Sequence, residues 1–173
     1  MTAAHPDAVT IRAMTEQDLP AVQGIYAEGI TTRLATFETE VPDLAQLATK
    51  WLPDQRWVAE LDGDVVGWAA IAPTSPRACY AGVGETSVYV AGSAQGRGIG
   101  RALLEHLVTE AFTTGMWTLQ ASVIRENRAS IALHEAAGFE VLTVRRRIAR
   151  LDGKWRDTVL LERRAAADPP DQS

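Results

Sequence analysis

Apolar and polar positions change period several times along the chain, and each change marks an element. Val9-Thr10-Ile11-Arg12-Ala13 alternates like a short strand. Thr15-Glu16-Gln17-Asp18 then reads as a helix start, with Thr15 as N-cap and acids in the first turn. Leu19, Val22, Ile25, Tyr26 and Ile30 follow at helical spacing. Pro42-Asp43 opens a second helix carrying Leu44, Leu47 and Trp51, which stops near Pro53. Trp57 to Leu61 is strand-like, Asp62-Gly63-Asp64 is a hairpin turn, and Val65 to Ile71 is the returning strand. Residues 73–84, with two prolines and two glycines, read as a loop, and Thr86 to Val90 is a β-rich run. Gln95 to Gly100 is a glycine-rich turn. Ala102 to Phe112 is a helix with Leu103, Leu104, Leu107 and Val108 on its apolar side. Trp117 to Val123 is a strand, and Ser130 to Ala137 is a short helix closed by Gly138. Val141 to Ala149 and Trp155 to Leu161 form a second hairpin around Asp152-Gly153-Lys154.

The order β-α-α-β-β-β-α-β-α-β-β is mixed α/β, with one β-turn-α-β unit in the middle. Two tight hairpin turns argue against a doubly wound, all-parallel sheet. The chain has 173 residues, 46% apolar and 23% charged, enough to fold as one domain without disulfides. We assign residues 1–164 to that domain and 165–173, containing Asp168-Pro169-Pro170-Asp171, to a disordered tail. Seventeen Lys+Arg against 22 Asp+Glu leave a net charge of −5, a poor basis for a dedicated nucleic-acid binder. Cys79, the one cysteine, cannot make an internal disulfide or a multi-Cys metal site, and it fits a reducing cytosol. No stretch approaches the roughly 18 apolar residues of a membrane span. Met1 to Asp7 lacks the basic and apolar regions of a signal peptide. The expected location is cytoplasmic.

The sharpest chemical signal is Ser87-Val88-Tyr89-Val90 leading into Gln95-Gly96-Arg97-Gly98-Ile99-Gly100-Arg101. Glycines let backbone N–H groups approach an anion, and the following helix N-terminus adds about half a positive charge. Arg97 or Arg101 adds a full one. The turn is neither a P-loop, since no Gly-Lys-Ser/Thr follows, nor the Gly-x-Gly-x-x-Gly of dinucleotide sites. Bare glycines fit a pyrophosphate cradle and a ligand-free tight turn equally well. Gln95-x-x-Gly98-x-Gly100 after Val88-Tyr89-Val90, however, resembles the acetyl-CoA signature of the GNAT N-acetyltransferases. Asn127-x-x-Ser130-x-x-Leu133-His134-x-x-x-Gly138-Phe139 resembles a second motif of that superfamily, in the expected order. The resemblance runs from Thr10 to Arg163. Within the superfamily, Glu85-Thr86-Ser87-Val88-Tyr89-Val90, Leu133-His134-Glu135-Ala136, Thr36-Phe37-Glu38-Thr39-Glu40 and Gly153-Lys154-Trp155-Arg156-Asp157 are similar to phosphinothricin and methionine sulfoximine acetyltransferases. Arg77-x-x-Tyr80 is shared with the related arsinothricin enzymes, whereas Thr74 and Ser75 stand where many members carry a Trp and a basic residue.

The resemblance implies a GNAT (acyl-CoA N-acyltransferase) fold: a mixed, mostly antiparallel sheet flanked by helices, with a central splayed strand pair. It implies acetyl transfer from acetyl-CoA to a primary amine, and it places the cofactor on Val88, Tyr89, Val90, Gln95, Gly96, Arg97, Gly98, Ile99, Gly100, Arg101 and Asn127. Glu85, just before the β-run, becomes the candidate base, its pKa raised by burial; by residue type alone it reads as a strand-edge carboxylate in solvent. A β-bulge in the strand before the glycine turn would aim the Val88 N–H at the thioester oxygen. His134 stands where many GNAT enzymes carry a Tyr that protonates the thiolate. It would donate that proton or help deprotonate the amine; otherwise it is an exposed helix histidine. Asn127 would hold pantetheine amides, cap the helix, or both. For the substrate, Arg77 would bind an anionic group and Tyr80 add a hydroxyl, with Arg33, Thr36, Phe37 and Glu38 as one wall. In solvent Arg77 is an ordinary loop arginine.

Three signals carry less. Arg145-Arg146-Arg147 with Arg150, Lys154 and Arg156 is a solvated hairpin or a dimer-contact strand before it is a nucleic-acid site. The five Trp are core or subunit-contact material. His5 and His106 lack partners at metal spacing, and no metal is expected. The sequence reading is therefore a cytoplasmic, homodimeric acetyltransferase for a toxic glutamate-like amino acid, with no nucleic-acid or membrane partner. Its rivals are a GNAT enzyme for a polyamine, an aminoglycoside or a protein N-terminus, and a non-catalytic CoA-binding module.

Overall fold

A computed structural model describes residues 8–167. Among them, seven strands form one sheet: β1 (Thr10–Ala13), β2 (Arg56–Leu61), β3 (Asp64–Pro73), β4 (Val83–Val90), β5 (Thr118–Ile124), β6 (Glu140–Leu151) and β7 (Lys154–Arg164). Their order is β1-β2-β3-β4-β5-β7-β6. The helices are α1 (Leu19–Thr31), α2 (Leu44–Lys50), α3 (Ile99–Thr113) and α4 (Arg128–Ala136). Every neighbouring pair is antiparallel except β4 and β5, which the α3 crossover makes parallel.

That parallel pair is short. Val83, Gly84 and Glu85 face Thr118, Leu119 and Gln120, and there the pairing stops. Beyond it β4 stays with β3 as far as Gly67↔Val90, and β5 stays with β7 as far as Ile124↔Thr158. Each strand keeps its antiparallel partner, the more stable pairing, and the sheet opens as a V between them. The expected splay is present. The expected bulge in β4 does not accompany it: the ladder with β3 runs without a shift from Pro73↔Gly84 to Gly67↔Val90.

Apolar side chains fill both faces of the sheet. On one face Leu103, Leu104, Leu107 and Val108 of α3 pack with Leu119 and Leu161, all at or near zero exposure. On the other, Val22, Ile25 and Tyr26 of α1 and Leu47 of α2 meet Val58 and Trp68. Trp68 is the centre of that second layer. It stacks on Tyr89 at 4.6 Å and touches Trp51 at 4.7 Å and Tyr26 at 5.7 Å. Truncating such a buried indole costs about 3–5 kcal/mol.

Three boundaries differ from the sequence reading. The loop read at 73–84 is shorter, because β3 extends to Pro73 and β4 begins at Val83, with a 3-10 turn at Ala78–Tyr80 between them. Gly82 and Gly84, which read as loop punctuation, are close-packing positions: a Cβ would strike Trp117 at the first and Ile71 at the second. Glu85 consequently lies inside β4, not before it. Residues Glu16–Asp18 form a 3-10 turn rather than the first α-helical turn. There the Asp18 carboxylate accepts the Thr15 N–H at 2.7 Å and both Arg12 terminal nitrogens at 2.8 Å, which pushes its pKa down to about 2. Finally, α3 starts at Ile99, three residues early, because Gly98 at φ 76° serves as its N-cap.

Ala165 still donates its N–H to Trp117 at 2.9 Å. The part of the expected tail from Asp168 onward, like Met1 to Asp7 with His5, lies outside the described residues. Among those described, no helix is long and apolar enough to cross a membrane. The outermost strand, β6, leaves Val141, Leu142, Val144 and Ile148 exposed, beside Trp155 of β7.

Candidate functional site

The opening between β4 and β5 is the floor of a cavity of about 800 Å³, within the size range of small-molecule sites. One end is the glycine turn: Gln95, Gly96, Gly98, Ile99, Gly100 and Arg101 line it, with Asn127, Ser130, Leu133 and His134 from the α4 side. The other end is lined by Tyr26, Thr36, Phe37, Glu38, Lys50, Trp51, Ala72, Pro73 and Glu85. Val88, Tyr89 and Val90 run between the two.

Gly96 and Gly98 sit at φ 79° and 76°, left-handed values that favour glycine. They turn the chain from β4 into α3, so that the α3 N-terminus faces the cavity. Gly100 closes the turn, and nothing but Val90 and Leu133 methyls lies near where its Cβ would be. Of the two arginines, Arg101 lines the cavity while bonded to Glu105 at 2.7 Å, which raises its pKa. Arg97 is exposed and does not line it. Glycine amides and a helix N-terminus suit a pyrophosphate, so the residues present fit a CoA nucleotide.

The direction of the β4 amides follows from one bond. The Ala91 N–H donates to Val66, on the β3 side, at 2.8 Å. N–H groups alternate along a strand, so those of Val88 and Val90, beyond the last β4–β5 pair, point the other way, into the opening. The Val88 amide thus faces the cavity without any bulge. Side chains alternate as well: Tyr89 belongs to the α1 layer, and Val88 and Val90 pack against the α3 layer. Glu85 shares the Tyr89 face, and Thr86 the opposite one. Burial pushes the Tyr89 phenol far up, so it stays protonated, and its hydroxyl donates to Ala35 at 3.4 Å.

His134 is not the exposed histidine of the alternative reading: it is 3% exposed. Its Nδ1 lies 2.8 Å from the Ser130 carbonyl. A carbonyl only accepts, so Nδ1 carries the proton and Nε2 the lone pair. That lone pair faces the Thr86 hydroxyl at 3.3 Å. Burial lowers the His134 pKa from its ordinary value, and the ring is neutral at pH 7. Phe139, 5.1 Å away and edge-on, holds it in place. Glu85 is half-buried and, among the described residues, makes no side-chain hydrogen bond or ion pair. These two titratable groups therefore flank β4 from opposite faces.

Asn127 caps α4, its Oδ1 accepting the Ser130 N–H at 3.2 Å, while its Nδ2 donates to Leu34 at 3.2 Å. The second bond ties down the segment that carries Thr36, Phe37 and Glu38. Arg33, expected on the same wall, turns away to Asp152 at 3.3 Å. Arg77 and Tyr80 do not join the cavity either. Both are exposed on the 3-10 turn after β3, with the Arg77 guanidinium 5.7 Å from the Tyr80 ring. That turn packs the pair on each other, just outside Pro73.

Several lining residues were missed at the level of sequence. Ser130 and His134 are four apart on one helix, a spacing that could have signalled the Nδ1 bond. Thr86 stood in the quoted motif without a role. Nothing in the sequence marks Lys50, Tyr26 or Trp51 as cavity residues. Among the described residues, no group of three His, Cys, Asp or Glu is placed to hold a metal.

Residues 25–139 match the Acetyltransferase (GNAT) family. The phosphinothricin N-acetyltransferase of Alcaligenes faecalis is 36% identical over 90% of this chain and 82% of its own length. The structure of a phosphinothricin acetyltransferase from Sinorhizobium meliloti, in complex with acetyl-CoA, superimposes with a TM-score of 0.85 at 30% identity, covering 94% of both chains. A protein from Brucella melitensis described as a ribosomal-protein-alanine N-acetyltransferase does so with a TM-score of 0.82 at 35% identity, covering 90% of this chain and 99% of its own. With a family match over most of its length and relatives of 30% identity and above, the chain belongs to the GNAT family of N-acetyltransferases.

Proposed function

We propose that the enzyme transfers the acetyl group of acetyl-CoA to the α-amine of a glutamate-like amino acid of the phosphinothricin, methionine sulfoximine or arsinothricin type. The observation that carries this reading is the end of the cavity away from the glycine turn. Phe37, Trp51, Tyr26 and the half-buried Glu85 line a space for a small molecule next to the open β4 edge. The similarity to the Alcaligenes enzyme supports the same substrate class.

Acetyl-CoA supplies an already activated acyl thioester. The glycine turn, Asn127 and the α3 N-terminus hold its anionic and amide parts. The Val88 N–H stabilises negative charge on the carbonyl oxygen, a fixed dipole that needs no reorganisation. Glu85 takes the amine proton from the α1 face, directly or through water. Neutral His134 accepts the second proton, the one released from the nitrogen after it bonds to the carbonyl carbon, before it gives one. Once protonated, with its Nδ1–H held by Ser130, it can return that proton to the departing thiolate. Acetylation removes the amine charge, so the product no longer fits a glutamate-like site.

Thiol release from acetyl-CoA tests the reading on phosphinothricin, methionine sulfoximine, arsinothricin, glutamate, methionine, spermidine, an aminoglycoside and an alanine-starting peptide. Preference for one glutamate analogue is expected. Turnover confined to the peptide would replace this reading with protein N-terminal acetylation, which the Brucella neighbour's description favours.

The reading includes a homodimer formed through β6. Its exposed Val141, Leu142, Val144 and Ile148 are apolar side chains on a sheet edge, a surface that a monomer normally blunts. Light scattering should give twice the 18.7 kDa chain mass, and Leu142→Asp with Val144→Asp should shift the mass to monomer. A monomeric wild type would remove this part.

A further inference from the structure

We infer that Lys50 binds the anionic group of the substrate, a step that rests on the amino-acid reading above. Lys50 is the last residue of α2. Two residues on, the Leu52 N–H donates to the Ile71 carbonyl at 2.9 Å. This bond seats the end of α2 against β3 beside Ala72, and Ala72 is the register partner of Glu85. Lys50 and Glu85 therefore share one end of the cavity.

Charge at that end is sparse. Among the described residues lining it, Glu38, Lys50 and Glu85 are the charged ones, and Lys50 is the cation. Its ammonium has no carboxylate within 4.0 Å among the described residues. It lies instead 5.7 Å from the centroid of the buried Tyr26 ring. An aromatic face holds a cation without neutralising it, so the positive charge remains available to a ligand. The other cation on the wall, Arg101, is at the glycine turn and already bonded to Glu105.

An amino acid with its amine at Glu85 must place its anionic group within a few ångströms of that amine. Arg77, on its exposed turn, is outside the cavity. Lys50 is inside it. A lysine ammonium is a point charge with no planar fork, so it accepts a planar carboxylate and a tetrahedral oxyanion alike. Glu85 for the amine and Lys50 for the anion give this end a polarity matching that of a zwitterion. A polyamine would instead bring its second cation against Lys50.

Steady-state kinetics of Lys50→Met and Lys50→Arg, with phosphinothricin and with methionine sulfone, test this. The first substrate has an anionic head beside its α-carboxylate, and the second has the α-carboxylate alone. Lys50→Met should raise the substrate KM by about tenfold to a hundredfold, the range for a lost charged hydrogen bond. Its kcat and its acetyl-CoA KM should stay within about twofold, and Lys50→Arg should recover most of the loss. A rise for both substrates places Lys50 on the α-carboxylate, and a rise for phosphinothricin alone places it on the head. Unchanged KM for both in an active enzyme overturns the inference and leaves the substrate class standing. No turnover of any amino acid by the wild type overturns the substrate class, and the inference with it.

Discussion

Glu85→Gln should lower kcat by about a hundredfold to a thousandfold, the scale of a lost general base. The acetyl-CoA KM should stay within about twofold. The substitution keeps shape and volume, so the β4 ladder with Ala72 and Gln120 has no reason to change. What it removes is the half-buried carboxylate lining the cavity at the last position where β4 pairs with β5. The remaining activity should climb with pH, because free amine then forms without help from the protein. Steady-state rates for variant and wild type across pH test both halves of the claim. A variant with wild-type kcat would end the assignment of Glu85 as base.

His134→Gln is expected to produce the second largest loss, about a hundredfold in kcat, with a change in the pH profile that a packing defect would not give. Burial lowers the His134 pKa. In the wild type the ring should therefore remain a competent acceptor to below the ordinary histidine value, and the acid-side inflection of kcat should fall there. In the variant that inflection should disappear. The same shift has a sign for stability. Above the unfolded-state pKa the ring is neutral in both states and native stability is full; as pH falls from there through the lower folded-state pKa, the unfolded chain takes up the proton first and stability is lost. His134 packs on Phe139 and bonds to Ser130, so its replacement also perturbs α4. Stabilisation of the variant by acetyl-CoA in a thermal melt checks that the cradle survives. An unchanged pH profile in a folded variant would leave His134 with a packing role only.

The corrections to the sequence reading share a cause. Gly82 and Gly84 are common turn residues, so residues up to 84 read as loop. Only the neighbouring Trp117 and Ile71 side chains reveal why glycine is needed just before β4 and inside it. The bulge expected from the resemblance proved unnecessary, because strand alternation alone turns the Val88 amide toward β5 and the β5 strand has already left. Arg77 and Tyr80 carried the substrate argument in the sequence. They lie on an exposed turn that local composition cannot orient.

By itself the sequence determined most of the elements, their order and the glycine-turn end of the cavity. Those features are local: helical and strand periods, hairpin turns at Asp62-Gly63 and Asp152-Gly153, and glycines whose spacing turns a strand into a helix. Two motifs in fixed order were enough to place Gln95 to Arg101 and Asn127 beside one another. The tertiary structure alone decided which proton-handling and charged groups face the cavity. His134 is buried because α4 packs over the gap left by β5. Lys50 lines the same cavity as Glu85, 35 residues away in sequence, because a backbone bond from Leu52 to Ile71 seats the end of α2 beside β3. Such contacts join segments distant in sequence, and no periodicity encodes them. They are fixed only when both faces of the sheet are covered and each strand has taken its partner.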